Sequence, residues 1–248
     1  MKVIILAAGY ATRLYPLTVD TPKCLLTVAG KTILDAICGK INEAKDVDEI
    51  IIVSNARFYE KFLAWQRTAK YRTAVRVLND GTTSPDNRLG AIGDLNFTLD
   101  GCKISGDILM MASDNLFDAG LGAFIDFARA KNAPATGLHD IGDPMKAAGK
   151  YGVLETDASG RVVSIEEKPA KPRSSFIGMG IYFFPGRTLP LVKEYLASPE
   201  AQDAPGHYLK WLTAREKLYG FIFKGMWYDI GDLKALEEAD QLLSKEKK

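Results

Sequence analysis

The chain has 248 residues, of which 47% are hydrophobic and 25% are charged, a composition typical of a soluble globular protein. Its 32 lysines and arginines are balanced by 31 aspartates and glutamates, and a net charge of +1 argues against general electrostatic binding to nucleic acid or to a membrane. The 3 cysteines lack metal-ligand spacing, the N-terminus is a poor signal peptide, and no apolar run approaches the ~20 residues of a membrane helix. We therefore expect reduced thiols, a cytoplasmic location and only local anion sites.

The first half of the chain alternates short apolar runs with segments of helical periodicity. The predicted strands are 2–7, 49–55, 74–80 and 107–115, and the predicted helices are 31–44, 57–69 and 89–99. Continuous buried strands that alternate with amphipathic helices are typical of βαβ units. They predict an α/β fold with a Rossmann-like, doubly wound and mostly parallel sheet, in which short connections make right-handed crossovers.

After about residue 145 the pattern changes to an antiparallel one. Residues 151–169 have the pattern of a β-hairpin, with Asp-Ala-Ser-Gly at 157–160 as its turn. The remaining predicted elements are strands at 174–185 and 219–225 and helices at 188–198, 206–217 and 232–244. Because no linker, repeat or low-complexity segment interrupts the chain, we expect one domain over residues 1–248 with an antiparallel elaboration in its C-terminal half.

The first predicted strand leads into a loop rich in small residues, L-A-A-G-Y-A-T-R at 6–13. The loop ends at one cation, Arg13, and a second cation, Lys23, lies ten positions later. Ligands of doubly wound sheets bind beyond the carboxyl ends of the strands, where loop amides can point at phosphate oxygens. Arginine offers phosphate a bidentate fork and lysine a point charge. The dinucleotide fingerprint is absent, and G-K-T at 30–32 lacks the earlier glycine of a P-loop. The pattern fits either a phosphate-binding loop or a tight turn with two solvated cations.

The motif L-A-A-G-x-x-T-R-L-x-P-L-T followed by P-K resembles the signature of the sugar-1-phosphate nucleotidyltransferases, also called nucleotide-sugar pyrophosphorylases. Three later segments resemble that family in the same order. They are S-D-N-L-F at 113–117, the segment 151–169 that ends in E-K-P, and W-Y-D-I-G-D at 227–232. The resemblance extends from residue 1 to about 235, nearly the whole chain.

The resemblance implies a transferase of nucleotide-sugar biosynthesis that makes an NDP-sugar and pyrophosphate from an NTP, here expected to be a pyrimidine NTP, and a sugar 1-phosphate. It implies catalytic roles for Arg13 and Lys23 and a Mg²⁺ ion held by Asp114 and Asp229. Mg²⁺ is commonly bound by one or two carboxylates together with substrate phosphates. The implied acceptor-binding residues are Gly152, Glu167 and Lys168. The implied nucleotide-binding residues are Leu6, Ala7, Ala8, Gly9, Tyr10, Ala11, Thr12, Asn79, Asp80 and Gly90.

Two positions depart from the family pattern. Many members have glycine where this chain has Ala11, and a methyl group there is tolerable unless the backbone needs a positive φ. The family often places a glutamine before a P-L-G-T-A-like turn that recognises the base. This chain has Asn79 and Asp80 near the glutamine position and only a partial match at 89–91. The identity of the base therefore stays open.

Three alternatives differ in acceptor or in class. Relatives with this fold activate phosphocholine or other alcohol phosphates with CTP, so a cytidylyltransferase for such an acceptor is the first. A catalytically dead nucleotide-sugar sensor is disfavoured because Arg13, Lys23, Asp114 and Asp229 are all present. A nucleic-acid-binding protein would need a basic stripe or a recognition motif, and neither is found. Assembly into a homo-oligomer is possible for any of the enzymes.

Overall fold

A computed structural model describes residues 1–201 and 203–245. Its strands, in chain order, are β1 (Lys2–Leu6), β2 (Thr27–Val28), β3 (Lys31–Thr32), β4 (Glu49–Ser54), β5 (Ala74–Asn79), β6 (Ile108–Ala112), β7 (Asn115–Phe117), β8 (Ala135–Asp140), β9 (Gly152–Thr156), β10 (Val162–Glu167), β11 (Phe176–Phe184), β12 (Tyr219–Ile222) and β13 (Trp227–Asp229). Its helices are α1 (Ile33–Glu43), α2 (Tyr59–Thr68), α3 (Ala91–Gly101), α4 (Gly122–Lys131), α5 (Pro190–Leu196), α6 (Pro205–Thr213) and α7 (Leu233–Lys245).

The chain forms two compact units. Unit 1 contains residues 1–88, 111–121 and those from 225 onward, and unit 2 contains residues 89–110 and 122–224. Strand β6 includes the point at which the chain passes from unit 2 into unit 1. The expectation of one domain over the whole sequence stays a prediction.

Unit 1 is built on three parallel strands, with β4 between β1 and β5. Strand β4 is buried over its whole length, which explains why its sequence is apolar without alternation. The register places Val3 opposite Ile50 and Ile52 opposite Val77. Because parallel strands end at one edge of a sheet, the loop after β1 and the segment after β4 emerge together.

Helix α1 begins where the sequence supplies a cap for its first turn. The hydroxyl of Thr32 accepts a hydrogen bond from the backbone amide of Asp35 at 2.9 Å. The Asp35 carboxylate in turn accepts hydrogen bonds from the Tyr71 hydroxyl at 2.8 Å and from the Trp65 indole N–H at 3.0 Å. These contacts fix the start of α1 against the α2–β5 part of unit 1.

Unit 2 contains the antiparallel strands predicted for the second half of the chain. Strand β8 pairs antiparallel with β11 and parallel with β12, whereas β9 pairs antiparallel with both β10 and β11. The predicted hairpin is the β9–β10 pair, and its turn is closed by a hydrogen bond from the amide of Gly160 to the carbonyl of Asp157 at 3.0 Å. The predicted α/β class, with a mostly parallel sheet and an antiparallel elaboration, is confirmed.

The structure contains elements that were not predicted. Helix α4 and strand β8 lie in a part of the sequence to which no element was assigned, and β7 and β13 are strands of 3 residues each. Helix α6 ends at Thr213, four residues before the predicted end at 217. Among the described residues, no helix has the length and apolar character needed to cross a membrane.

Candidate active site

The loop at residues 7–13 follows β1 and is held in place by two buried polar side chains. The Asn55 side-chain amide donates a hydrogen bond to the carbonyl oxygen of Ala8 at 2.8 Å. The hydroxyl of Thr18 donates to the carbonyl oxygen of Ala11, also at 2.8 Å. Both side chains are fully buried, so these hydrogen bonds are shielded from competing water. The loop is therefore fixed through its carbonyl oxygens.

Four successive amides of the same loop are left available, whereas the amide of Ala7 donates to the carbonyl oxygen of Val53. In residues 1–201 and 203–245, the backbone N–H groups of Gly9, Tyr10, Ala11 and Thr12 have no hydrogen-bond acceptor. Gly9 is exposed, and a Cβ built there would have no atom within 4 Å. Successive unpaired amides in an open concave loop are a typical arrangement for binding an anion.

Ala11 adopts a left-handed backbone conformation, with φ of 46° and ψ of 44°. A side chain in this region costs roughly 1–2 kcal/mol, whereas glycine adopts it freely. The backbone does need a positive φ at this position, so alanine is strained where many family members have glycine.

Two aspartates are brought together by the short antiparallel pair β7–β13. The register places Asn115 opposite Asp229, and the amide of Ile230 donates a hydrogen bond to the carbonyl oxygen of Asp114 at 3.0 Å. Asp114 and Asp229 are thus neighbours across this pair although they are far apart in the sequence. This is the adjacency that a shared metal ion requires of its ligands.

Lys23 joins this pair of carboxylates. Its Nζ lies 2.8 Å from Oδ2 of Asp114. The other carboxylate oxygen of Asp114, Oδ1, accepts a hydrogen bond from the side-chain amide of Asn115 at 2.9 Å. The side chains of Lys23 and Asp114 are 16% and 32% exposed, so the ion pair is partly shielded from solvent. A lysine at this depth is held where it can meet an anionic ligand.

The electrostatic environment of Asp229 shows that Arg13 also belongs to this group. Burial, and next the negative charge of Asp114, raise the pKa of Asp229 to about 6. The positive charges of Lys23 and Arg13 act in the opposite direction. Three of the predicted residues, Asp114, Lys23 and Arg13, therefore lie within electrostatic reach of the fourth, Asp229, in unit 1.

The pair Asp114 and Asp229 fits a divalent cation. Burial of one carboxylate beside another is unfavourable unless positive charge compensates it, and a metal ion would supply that charge. No group of three or more histidine, cysteine, aspartate or glutamate side chains suited to a metal occurs among the described residues. Two carboxylates completed by substrate phosphates are a usual coordination for Mg²⁺ but not for a structural zinc ion.

The other predicted nucleotide-binding residues of unit 1 occupy varied positions. Leu6 is the last residue of β1, and the Tyr10 ring is buried against Phe58, so Tyr10 offers a ligand only its backbone. Asn79 accepts a hydrogen bond from the amide of Gly81 at 2.9 Å. Asp80 accepts two from Thr82, the nearer at 2.7 Å, and both residues thus shape the turn after β5.

Gly90 lies in unit 2, where it has a structural reason to be glycine. It precedes α3 with φ of 77°, and a Cβ there would come within 2.5 Å of Oδ1 of Asp203. The same carboxylate accepts a hydrogen bond from the amide of Ala91 at 3.3 Å, at the start of α3. The positive φ disfavours any other residue at position 90, and a side chain there would also displace the Asp203 carboxylate.

The three predicted acceptor-binding residues are grouped in unit 2. Gly152 begins β9 and lies opposite Glu167, the last residue of β10. Lys168 follows with φ of 46°, and its amide donates a hydrogen bond to the carbonyl of Tyr151 at 3.2 Å. A lysine in the left-handed region is uncommon, and such strain is concentrated at functional sites.

Sequence reasoning did not identify the residues that support the loop at residues 7–13. Asn55 follows a buried strand, and both ends of its side chain are used, since its Oδ1 also accepts from the amide of Phe58 at 3.0 Å. A polar residue directly after an apolar strand was the available signal. Burial raises the pKa of the Cys24 thiol to about 12, which disfavours its reactive thiolate form.

Nearly the whole chain matches the sequence model of one protein family. The sequence model of the family described as nucleotidyl transferase matches residues 2–246. The bifunctional protein GlmU of Methanococcus aeolicus is 29% identical over 234 residues, which are 93% of this chain and 51% of that protein. The glucose-1-phosphate adenylyltransferase of Clostridium acetobutylicum is 31% identical over 137 residues, which are 54% of this chain and 36% of that protein. This chain thus spans about half or less of the length of these relatives.

Among solved structures, a UDP-glucose pyrophosphorylase complexed with UDP-glucose is similar over the full fold. The TM-score is 0.83, and the similarity covers 99% of this chain and 98% of that chain. The sequence identity is 17%, so the likeness shows a shared fold and nothing finer. It supports the Rossmann-like α/β class predicted from the order of strands and helices.

Proposed function

This chain belongs to the nucleotidyl transferase family, and we propose that it transfers a nucleotidyl group from an NTP to a sugar 1-phosphate. The products would be an NDP-sugar and pyrophosphate. The observation that carries the proposal is the cluster of Arg13, Lys23, Asp114 and Asp229 beside a loop of unpaired amides. Such a cluster suits a reaction in which several anions must be brought together.

The chemistry requires positioning and charge neutralisation more than a nucleophilic side chain. A phosphate oxygen of the acceptor is already nucleophilic and would attack the α-phosphorus of the NTP in line, with pyrophosphate as the leaving group. The free amides of residues 9–12 would bind triphosphate oxygens before the reaction begins. Lys23 would stabilise the charge that develops at the α-phosphate, and the Arg13 fork would neutralise the departing pyrophosphate.

Asp114 and Asp229 would hold the Mg²⁺ ion. When bound, that ion would supply positive charge and act as a template that orients the phosphates. Lys23 pairs with Asp114, so its ammonium is held beside the carboxylates that would bind the ion. Substrate phosphate would then compete with Asp114 for Lys23, while the metal ion would compensate the carboxylate.

The acceptor would be bound by residues of unit 2. Lys168 is exposed and would bind the phosphate of the acceptor. The Glu167 carboxylate and the Gly152 backbone would contact its hydroxyl groups. The left-handed backbone at Lys168 supports this assignment, because it changes the direction of the chain at the end of β10.

We propose a pyrimidine NTP as the donor and the cytoplasm as the location, with no nucleic acid or membrane partner. The near-balanced charge of the chain supports the absence of a nucleic acid or membrane partner. The test is pyrophosphate release in Mg²⁺ with ATP, GTP, CTP, UTP and dTTP against sugar 1-phosphates and phosphocholine. We expect one combination of a pyrimidine NTP and a sugar 1-phosphate to be turned over fastest. Turnover of phosphocholine alone would replace the sugar with an alcohol phosphate, and no release with any pair would contradict the proposal.

A further inference from the structure

The Glu167 carboxylate lies in a gap between two glycines of unit 2. A Cβ built on Gly206 would be 2.3 Å from Oε2 of Glu167, and one built on Gly152 would be 3.1 Å from the same oxygen. Gly206 is the second residue of α6, and Gly152 is the cross-strand neighbour of Glu167 in the β9–β10 pair. The position of the carboxylate is therefore defined by two missing side chains.

No polar group of the described residues holds this carboxylate. Glu167 makes no side-chain hydrogen bond and no ion pair within residues 1–201 and 203–245, although its side chain is half-buried. A carboxylate at such a position leaves its acceptor sites for a ligand or for water. The position of the carboxylate then depends on the space left by the neighbouring glycines, chiefly Gly206.

A side chain at residue 206 would move the carboxylate and leave the fold in place. The atoms that a Cβ would meet are Oε2 at 2.3 Å and Cδ at 3.4 Å, both at the end of the flexible Glu167 side chain. Rotation of that side chain relieves the overlap without any backbone shift. Alanine also has a higher helix propensity than glycine, so α6 itself would gain stability.

We propose that Gly206 is a positioning residue for the acceptor, because it keeps open the space in which the Glu167 carboxylate meets acceptor hydroxyls. The inference rests on the proposed function, since it needs Glu167 to bind the acceptor. Gly206 does not touch the reacting atoms and acts through Glu167 alone. It therefore affects the affinity for the acceptor and not the chemistry at the α-phosphorus.

The test compares Gly206→Ala with a matched control, Gly39→Ala. Gly39 also lies inside a helix, α1, and a Cβ there would meet nothing within 4 Å. For Gly206→Ala we expect the KM for the sugar 1-phosphate to rise about tenfold, the scale of one lost charge-assisted hydrogen bond. The kcat and the KM for the NTP should equal those of wild type, and the Tm should not fall below that of wild type. Gly39→Ala should leave kcat and both KM values unchanged. An unchanged acceptor KM, or a loss confined to Tm, would overturn the role.

A double-mutant cycle with Glu167→Ala shows whether Gly206 acts through Glu167. Glu167→Ala alone should raise the acceptor KM, and Gly206→Ala should add nothing to it, because the overlapping carboxylate is already gone. An equal further rise in the double variant would mean that Gly206 acts independently and would overturn the inference.

Different results would contradict the role of Gly206 and the nucleotidyl transfer itself. If Glu167→Ala raises the acceptor KM while Gly206→Ala does not, the positioning role is wrong and the proposed function stands. If the wild-type protein releases no pyrophosphate with any NTP and acceptor, the proposed function is wrong and the role of Gly206 falls with it.

Discussion

Lys23 and Asp114, which are 91 positions apart, form an ion pair with 2.8 Å between Nζ and Oδ2. In the proposed mechanism they would bind different ligands, Lys23 the α-phosphate and Asp114 the Mg²⁺ ion. The two opposite charges compensate one another, so neither is an isolated half-buried charge. In the proposed mechanism, a substrate phosphate would replace Asp114 as the partner of Lys23, and a metal ion would replace Lys23 as the partner of Asp114.

Replacement of Lys23 by alanine tests the role of its charge. We expect kcat to fall by at least ~10², the usual scale for loss of one preorganised group that stabilises a transition state. The free energy of unfolding should fall by roughly 1–3 kcal/mol, because Asp114 is left partly buried without its cation. Lys31→Ala, at an exposed lysine of β3, is the control and should keep wild-type turnover. Near-native kcat for Lys23→Ala would show that its assignment is wrong.

Asp114→Ala and Asp229→Ala should each abolish most of the activity, which itself should require Mg²⁺. The double variant should lose little more than either single variant, because two residues that serve one ion act as a unit. The control is Asp126→Ala, at an exposed position of α4. Activity that persists in excess chelator, or losses that multiply in the double variant, would argue against a shared metal ion.

The strained backbone of Ala11 predicts a stabilising substitution. Ala11→Gly should raise the free energy of unfolding by roughly 0.5–1 kcal/mol, since relief of left-handed strain exceeds the entropy that glycine adds to the unfolded chain. Ala29, in the β2–β3 turn with φ of 49°, provides a comparison outside the site. Ala29→Gly should give a similar gain in denaturant unfolding, with no change in KM for the NTP. A loss of stability in Ala11→Gly would mean that its backbone is not strained.

Substitution of the two charged residues of the proposed acceptor site should affect the kinetics with acceptors in different ways. Lys168→Ala should weaken every phosphorylated acceptor, because each one carries the phosphate. Glu167→Gln should cost ~1.5–3 kcal/mol in kcat/KM with a hydroxyl-rich sugar phosphate, because it removes the charge that strengthens hydrogen bonds. Lys171→Ala, at an exposed lysine nearby in the sequence, serves as the control. Steady-state kinetics in which Glu167→Gln leaves the sugar phosphate unaffected would remove Glu167 from the site.

The sequence predicted the parts of the fold that are local. Apolar runs and helical periodicity gave most strands and helices of both units, and α4 also shows its buried residues, Phe124, Ile125 and Ala128, at helical spacing that could have been recognised. Strands β7 and β13 have 3 residues each, too few to carry a periodic pattern. Their pairing, which joins the two aspartates, is a tertiary contact and only the resemblance indicated it.

The details of the site depended on contacts between distant residues. The positive φ of Ala11, the anchoring of Ala8 by Asn55 and the approach of Gly206 to Glu167 all arise from tertiary packing. No single-sequence pattern encodes them, since alanine rarely adopts a positive φ and a glycine gives no sign of which side chain passes above it. The sequence shows which residues are present, but not which distant residues they contact in the fold.

An α-³²P-labelled NTP shows whether the nucleotidyl group itself is transferred to the acceptor. Wild-type protein with Mg²⁺ and the preferred sugar 1-phosphate should move the label into an NDP-sugar, with one pyrophosphate released for each molecule formed. The transfer should depend on both substrates and should be lost in Asp229→Ala. Label that appears as free nucleoside mono- or diphosphate, or transfer that continues unchanged in Asp229→Ala, would contradict nucleotidyl transfer at this site.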